Sequence, residues 1–266
     1  MGRTLVYPKG ISNTANRYSQ RVTYDLGAIH NIVNSSHVLH VSFNPGGDDP
    51  FPATLPMIGQ MGSFDYPSSS VEDPLDCYIH GYVSGRMMNL ARASEGEGLP
   101  VCISATYLDG LIMSLTPYSH SYNYRSVVLH GYAKVVTNIE EKLYAMKIIT
   151  DSIVPTRWDN SRSPPDGGEL QSTTILRVKI VAGSGKIRDG GMSDEKKDTQ
   201  NPEVTNKVWT GVIPIWQTFG DAVPCGQGNV KEVPEYVKNF TTSMTQDNRK
   251  YALEAIQAPL PPEEQN

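Results

Sequence analysis

Apolar positions change period several times along the chain, and each change marks an element. Ile29, Ile32 and Val33 recur at helical spacing behind Asp25, a residue that can cap a helix start. Asn34-Ser35-Ser36 breaks that pattern. "HVLHVSFN" then alternates as a strand does, until Pro45-Gly46-Gly47 ends it. "ATLPMIGQM" predicts a second strand, and the Ser-, Pro- and acid-rich run "GSFDYPSSSVEDP" an inserted loop. "DCYIHGYVSG" predicts a strand that runs into a short helix, "RMMNLARASEGEG", with Met87, Leu90 and Ala91 on one side.

Two β-rich runs then flank Asp109-Gly110, a pair favoured in two-residue hairpin turns, so a tight hairpin is expected there. "HSYNYRSVVLHGYAKVV" predicts the next strand. Its entrance carries two phenols, an amide, a guanidinium and hydroxyls, which suit either a busy turn or the wall of a site for a planar, phosphorylated ligand. The following helix has Thr137 or Asn138 as cap, Glu140 and Glu141 at its positive end and Leu143, Met146 and Ile149 or Ile153 as its stripe. A short helix around Glu169 leads to the strand "TTILRVKIVAGSGKIR". The charged run "GMSDEKKDTQNPEVTNK" predicts an exposed loop and "VWTGVIPIWQTFG" a last strand. Weak helical periodicity spans Val233 to Gln257, before the polar end "PLPPEEQN".

About seven strands with hairpin-length connections favour an antiparallel barrel over alternating βαβ units. There are no internal repeats and no clear linker. The expected organisation is an N-terminal arm over 1–20, one barrel domain over 21–220 with an insertion at 63–75 and an exposed loop at 190–207, and a C-terminal extension over 221–266.

Composition then removes whole classes of function. The formal net charge of −5 over 266 residues supplies no basic excess for nucleic acid. Three separated cysteines, Cys77, Cys102 and Cys225, form no C-x-x-C and suit a reducing compartment. The first twenty residues lack an apolar signal core and no run approaches membrane-spanning length, so a soluble, cytoplasmic protein is expected. His37 and His40 fall on opposite faces of a predicted strand with no third ligand at metal spacing. There is no G-x-S-x-G elbow, and Cys102 sits in an apolar strand.

Two stretches invite an anion. In "VSGRMM" a strand delivers Ser84 and Gly85 to a turn and Arg86 opens a helix, which reads either as an anion-binding corner or as an ordinary turn capped by Ser84. "GSGKIRDGG", Gly183 to Gly191, looks like a phosphate loop. It lacks the Gly four residues before Gly-Lys and the hydroxyl after Lys186, so it reads as a Gly-rich loop after a strand.

Taken in order, "YIHGYVSGRMMNLA", "PVCISATYLDGLIMSLTPYSHSYNYRSVVLHGYAKVVTNIEEKLYAMKIITDSIVPTRW" and "VWTGVIPI" resemble the flavin-nucleotide-binding branch of the pyridoxamine 5′-phosphate oxidase-like split-barrel family, over about Arg21 to Ile215. The resemblance implies a mainly β fold, an antiparallel Greek-key split β-barrel with flanking helices, and a homodimer holding FMN at its interface. It assigns the FMN phosphate to Ser84 and Arg86, with Met87 beside them. Met57 and Ile58 would lie along the isoalloxazine ring, and His80 and Gly81 under the ribityl chain. Arg125 and Ser126 would meet the ring edge, Tyr124 would offer a planar surface, and Trp209 would reach over from the partner. The implied activity is a flavin-dependent oxidoreductase acting on a small molecule or electron acceptor. The alternative within the fold is a non-catalytic flavin or haem carrier, with His37, His80 or His120 as haem ligand. The basic residues that hold pyridoxine phosphate in true pyridoxamine phosphate oxidases have no match near the carboxyl end, so that activity is not expected.

Overall fold

The computed structural model describes residues 4–47, 49–228 and 230–259. Local capping explains where its helices begin. Asp25 Oδ1 accepts from Ala28 N at 2.7 Å and starts α1 (Leu26–Ser35), whose buried face is Leu26, Ile29, Ile32 and Val33. Asn138 accepts from Glu140 N and Glu141 N to start α3 (Ile139–Ile153). Asp166 and Glu169 form a reciprocal capping box at α4 (Gly167–Ser172). The remaining elements are β1 (Val22–Thr23), β2 (Leu39–Phe43), β3 (Ala53–Met57), β4 (Gly59–Gly62), β5 (Asp76–Tyr82), α2 (Arg86–Ala93), β6 (Leu99–Met113), β7 (Ser121–Val135), β8 (Thr173–Arg188), α5 (Lys196–Thr199), α6 (Pro202–Thr205), β9 (Gly211–Pro214) and α7 (Glu235–Gln257).

Two compact units are present. The first takes residues up to Arg17, Val22–Thr106 and Ser126–Gly185; the second takes Tyr18–Arg21, Tyr107–Arg125 and the chain from Lys186 on. Strands β6, β7 and β8 each pass from one unit into the other.

In the first unit the strand order is β3-β2-β6-β7-β8-β5-β4, with β1 added to β8. The two outermost strands of that order, β3 and β4, are separated along the chain by Ile58 alone. The edges therefore meet although no ladder joins them, which is a sheet curled into a split barrel. Its interior is tight: a Cβ on Gly59 would come within 2.6 Å of Ile79 and 2.9 Å of Leu39. Ile29, Val33, Leu39, Val41, Cys77, Ile79, Ile103, Leu129, Leu176 and Val178 are fully buried. A second cluster joins Tyr78 and Ile175 to Val136, Ala145 and Ile149. The single strand expected over "ATLPMIGQM" is thus two strands on opposite edges.

In the second unit β9 pairs with β6, Leu111 opposite Ile213. Helix α7 buries Ala252 and Ala255, and Phe219 packs edge-on against Phe240 at 5.3 Å. The hairpin expected at Asp109-Gly110 is not there, because both residues lie inside β6. The turn preference of an Asp-Gly pair is a local term, and two longer-range contacts override it. Asp109 is buried by an ion pair with Arg125, and β9 passes so close that a Cβ on Gly110 would sit 3.1 Å from Val212 Cγ1. The real turn covers 114–120, where Ser114 N donates to His120 Nδ1 at 2.9 Å and Ser114 Oγ to the Ser119 carbonyl at 2.9 Å. The charged loop expected over 190–207 is exposed but folds two single-turn helices, α5 and α6. Asn201 starts α6 by accepting from Glu203 N, with Pro202 at the first helical position. The last strand shrinks to β9, and the helix expected in the tail is α7. The final residues, "LPPEEQN", lie outside the described ones.

Candidate functional site

Two groups of residues assigned from sequence can be built up from the structure, one in each unit. In the first unit β5 delivers His80 and Gly81 toward α2. Helix α2 opens at Arg86 behind Gly85, which offers no side chain to cap it. The reading of Ser84 as a helix cap therefore fails, and the first-turn N–H groups keep their free positive end. Ser84 and Arg86 are both exposed. Ser84 gives its carbonyl to Asn89 Nδ2, and Arg86 donates Nη2 to the Pro45 carbonyl at 3.1 Å. A hydroxyl, a guanidinium and an uncapped helix end thus open to solvent within three residues. That is the donor chemistry a phosphate monoester requires. Met87, next in line, is buried and holds the helix down.

β4 and β5 pair with Gln60 opposite Tyr78, so Ile58, Gln60, Tyr78 and His80 project to one face, which α3 covers at Tyr78 through Ala145 and Ile149. Two polar atoms on that face are buried without a partner, Gln60 Oε1 and His80 Nδ1. Burial lowers the His80 pKa, opposed by a hydrogen bond with the Ile58 backbone, so the ring is held neutral. Met57 and Ile58 are half-buried at the junction of β3 and β4. Ser126 is half-buried on β7, its carbonyl near Gly185. Unsatisfied atoms beside a half-buried strand junction fit a planar ligand with hydrogen-bonding edges.

The second group differs in kind. Arg125 donates Nε and Nη2 to the two oxygens of Asp109 at 3.0 and 2.8 Å. Its guanidinium lies 3.7 Å from the Tyr251 ring centroid and 4.7 Å from that of Tyr107. Burial works against its charge, but Asp109 outweighs it and holds the Arg125 pKa above its ordinary value. Burial and the neighbouring Asp189 push the Tyr251 phenol up to about 12. The donor fork expected to meet a ring edge is therefore already engaged. Tyr124 is half-buried nearby in sequence, and Trp209 is 66 % exposed with its ring against Gly211. His120, the haem candidate of this unit, already accepts from Ser114 N. Nothing local points to Asp109, Tyr107 and Tyr251 as partners of Arg125: Asp109-Gly110 is by itself a turn pair, and Tyr251 lies 126 positions from Arg125.

A cavity of about 460 Å³ opens on β2, β6, β7 and β8 in the first unit, lined by Ser42, Cys102, His130, Tyr132 and Val181 among others. None of the residues assigned from sequence lines it. Burial raises the Cys102 thiol, which keeps it protonated and unreactive. Among the described residues no group of three or more His, Cys, Asp or Glu side chains could hold a metal ion, and no helix is long and apolar enough to cross a membrane.

Residues 25–187 match the family model described as pyridoxamine 5′-phosphate oxidase. No curated protein sequence matches the chain. Among solved structures, the flavocytochrome Anf3 from Azotobacter vinelandii aligns at TM-score 0.69 and 23 % identity, over 87 % of this chain and 97 % of its own. The FAD and heme binding protein from Mycobacterium smegmatis aligns at TM-score 0.67 and 20 % identity, over 83 % of this chain and 97 % of its own. At these identities the likeness is one of fold. The family match spans most of the barrel, and the chain belongs to the pyridoxamine 5′-phosphate oxidase family.

Proposed function

We propose, taking that membership as premise, that the chain binds a flavin nucleotide and works as a flavin-dependent oxidoreductase on a small molecule. The observation that carries the reading is the uncapped start of α2, with Ser84 and Arg86 exposed beside it. Ser84, Arg86 and the first-turn N–H groups would hold the phosphate. The half-buried face of Ile58 and His80, with the unpartnered Gln60 Oε1 and His80 Nδ1, would lie along the rest of the ligand. When bound, the flavin supplies hydride or electron transfer; the protein binds, orients and shields it. Held neutral by burial, His80 can donate from one ring nitrogen and accept at the other without adding charge.

FMN is the expected nucleotide, and the two aligned relatives, one named a flavocytochrome and the other an FAD and heme binding protein, make FAD the immediate competitor. A homodimer, with the partner completing the site, is part of the same reading. Haem is a second reading because of one observation. Of the three histidines open to it, His80 has a buried nitrogen without a partner and is held in the neutral form that ligates metal.

The deciding experiment is the visible spectrum of the purified protein, followed by chromatography of what heat releases. A flavin spectrum with FMN or FAD in the supernatant supports the proposal. A haem spectrum moves the function to the second reading. A colourless protein that also refuses both added nucleotides refutes flavin binding.

A further inference from the structure

The Gly-rich run that fails as a phosphate loop has a use that its sequence does not show. Its last strand residue, Arg188, is 3 % exposed. Arg188 donates Nη1 to Asn123 Oδ1 at 2.6 Å and Nη2 to the Gly191 carbonyl at 3.0 Å, while Nε is buried with no partner. Arg21, at the end of the 3₁₀ turn Ser19–Arg21, also has a buried Nε with no partner. Among the described residues neither guanidinium has a carboxylate within ion-pair distance. Burial, and then repulsion from Arg21, lower the Arg188 pKa, with Tyr124 and Asp189 opposing. Asp189 is a weak counter-charge: burial and Asp109 push its carboxyl toward the protonated form, against Arg125 and Arg188.

The cover over these cations is strained. Tyr18 holds a left-handed backbone, φ 54°, uncommon for an aromatic residue, and is 37 % exposed. Its ring lies 4.3 Å from the Arg21 guanidinium, and Lys186 of the Gly-rich run stands 5.8 Å from the same ring. One buried guanidinium, Arg188, and one half-exposed one, Arg21, each with a buried Nε–H that has no partner, lie next to a strained aromatic flap. Leaving buried charged donors unmade costs free energy that an anion would recover.

We propose that Arg21 and Arg188 form an anion site beneath Tyr18, and that its ligand is a small molecule bearing a phosphate or diphosphate group. The site shares no residue with Ser84 and Arg86 and goes beyond the flavin reading. On binding, the Tyr18 turn gives way and the two Nε–H groups close on the phosphate oxygens. Lys186 adds a third positive charge, and the Tyr18 ring offers a face to a planar group carried by the phosphate.

The test is calorimetric titration of the full-length protein with inorganic pyrophosphate, at low ionic strength. Arg21→Gln, at a half-exposed position outside the core, removes one donor and one charge. It should weaken pyrophosphate about tenfold, as expected for a lost charged hydrogen bond. Lys147→Gln, which removes an exposed charge on α3 that belongs to neither site, should leave that affinity unchanged. Tyr18→Gly should tighten binding by relieving the strained backbone. Absence of pyrophosphate binding overturns the proposal. So does a loss that follows Arg86→Gln and spares Arg21→Gln, which would assign the anion to the flavin corner. Arg188→Gln is the corroborating variant, read only if its circular dichroism matches the parent.

Discussion

Arg86 and Arg125 invite the same reading in sequence, a cation for one end of a flavin, yet their surroundings are opposite. Arg86 stands exposed at an uncapped helix start with one bond to a carbonyl oxygen. Arg125 is held by both oxygens of a carboxylate that is 4 % exposed, with the rings of Tyr107 and Tyr251 against its guanidinium. The first has donors to offer a ligand; the second has spent them inside its own unit. An arginine in a motif is thus a candidate for binding, and its burial and partners decide whether it binds or braces.

The sharpest way to break this comparison is Asp109→Ala. Removing one partner of a buried ion pair leaves the other charge uncompensated, so a loss of about 3–5 kcal/mol is expected in urea unfolding. A loss below about 1 kcal/mol would show Arg125 able to escape to solvent and to serve a ligand after all. Arg86→Gln should do the reverse: flavin affinity falls about tenfold while stability changes by less than about 0.5 kcal/mol. Equal flavin affinity in parent and variant would remove Arg86 from the site.

Tyr251→Leu keeps apolar volume but removes one aromatic face from Arg125. It should cost about 1 kcal/mol, the scale of a partly buried cation–π contact, measured by thermal melts. The smallest effect expected is a pH dependence from the neutral buried pair Tyr7–His30. His30 Nε2 meets the Tyr7 hydroxyl at 2.6 Å and Nδ1 the Val71 carbonyl at 2.7 Å. Burial lowers the His30 pKa below its ordinary 6.5. The unfolded chain therefore binds the proton more readily than the folded one, and stability present above pH 6.5 should fade below it. His30→Gln should flatten that slope; an unchanged slope would assign the effect to other groups.

Much of the fold could be read in advance because it rests on local signals. Asp25 and Asn138 fix helix starts within three residues of themselves. Strands β2, β5, β7 and β8 announce themselves by period. What failed depended on partners far along the chain. Asp109-Gly110 is locally a turn, and only Arg125 and β9 make it a strand. "ATLPMIGQM" is one apolar run, and only pairing with β2 on one side and β5 on the other divides it at Ile58. The corner proposed for a phosphate could be picked out in advance because its donors sit in three consecutive residues. Gln60, Tyr251 and Arg188 were not, since nothing in their own neighbourhoods tells what lies against them.

The break at Ile58 has a meaning for handling the protein as well as for its shape. An open sheet of this length would offer two free edges, each a template for another chain. Here one residue ties the two edge strands together at one end, so they stay neighbours while the backbone is intact. Proteolytic nicking at Ile58, or a circular permutation that places the termini there, would free both edges in one cut. Aggregation rather than simple unfolding is the failure such a break invites.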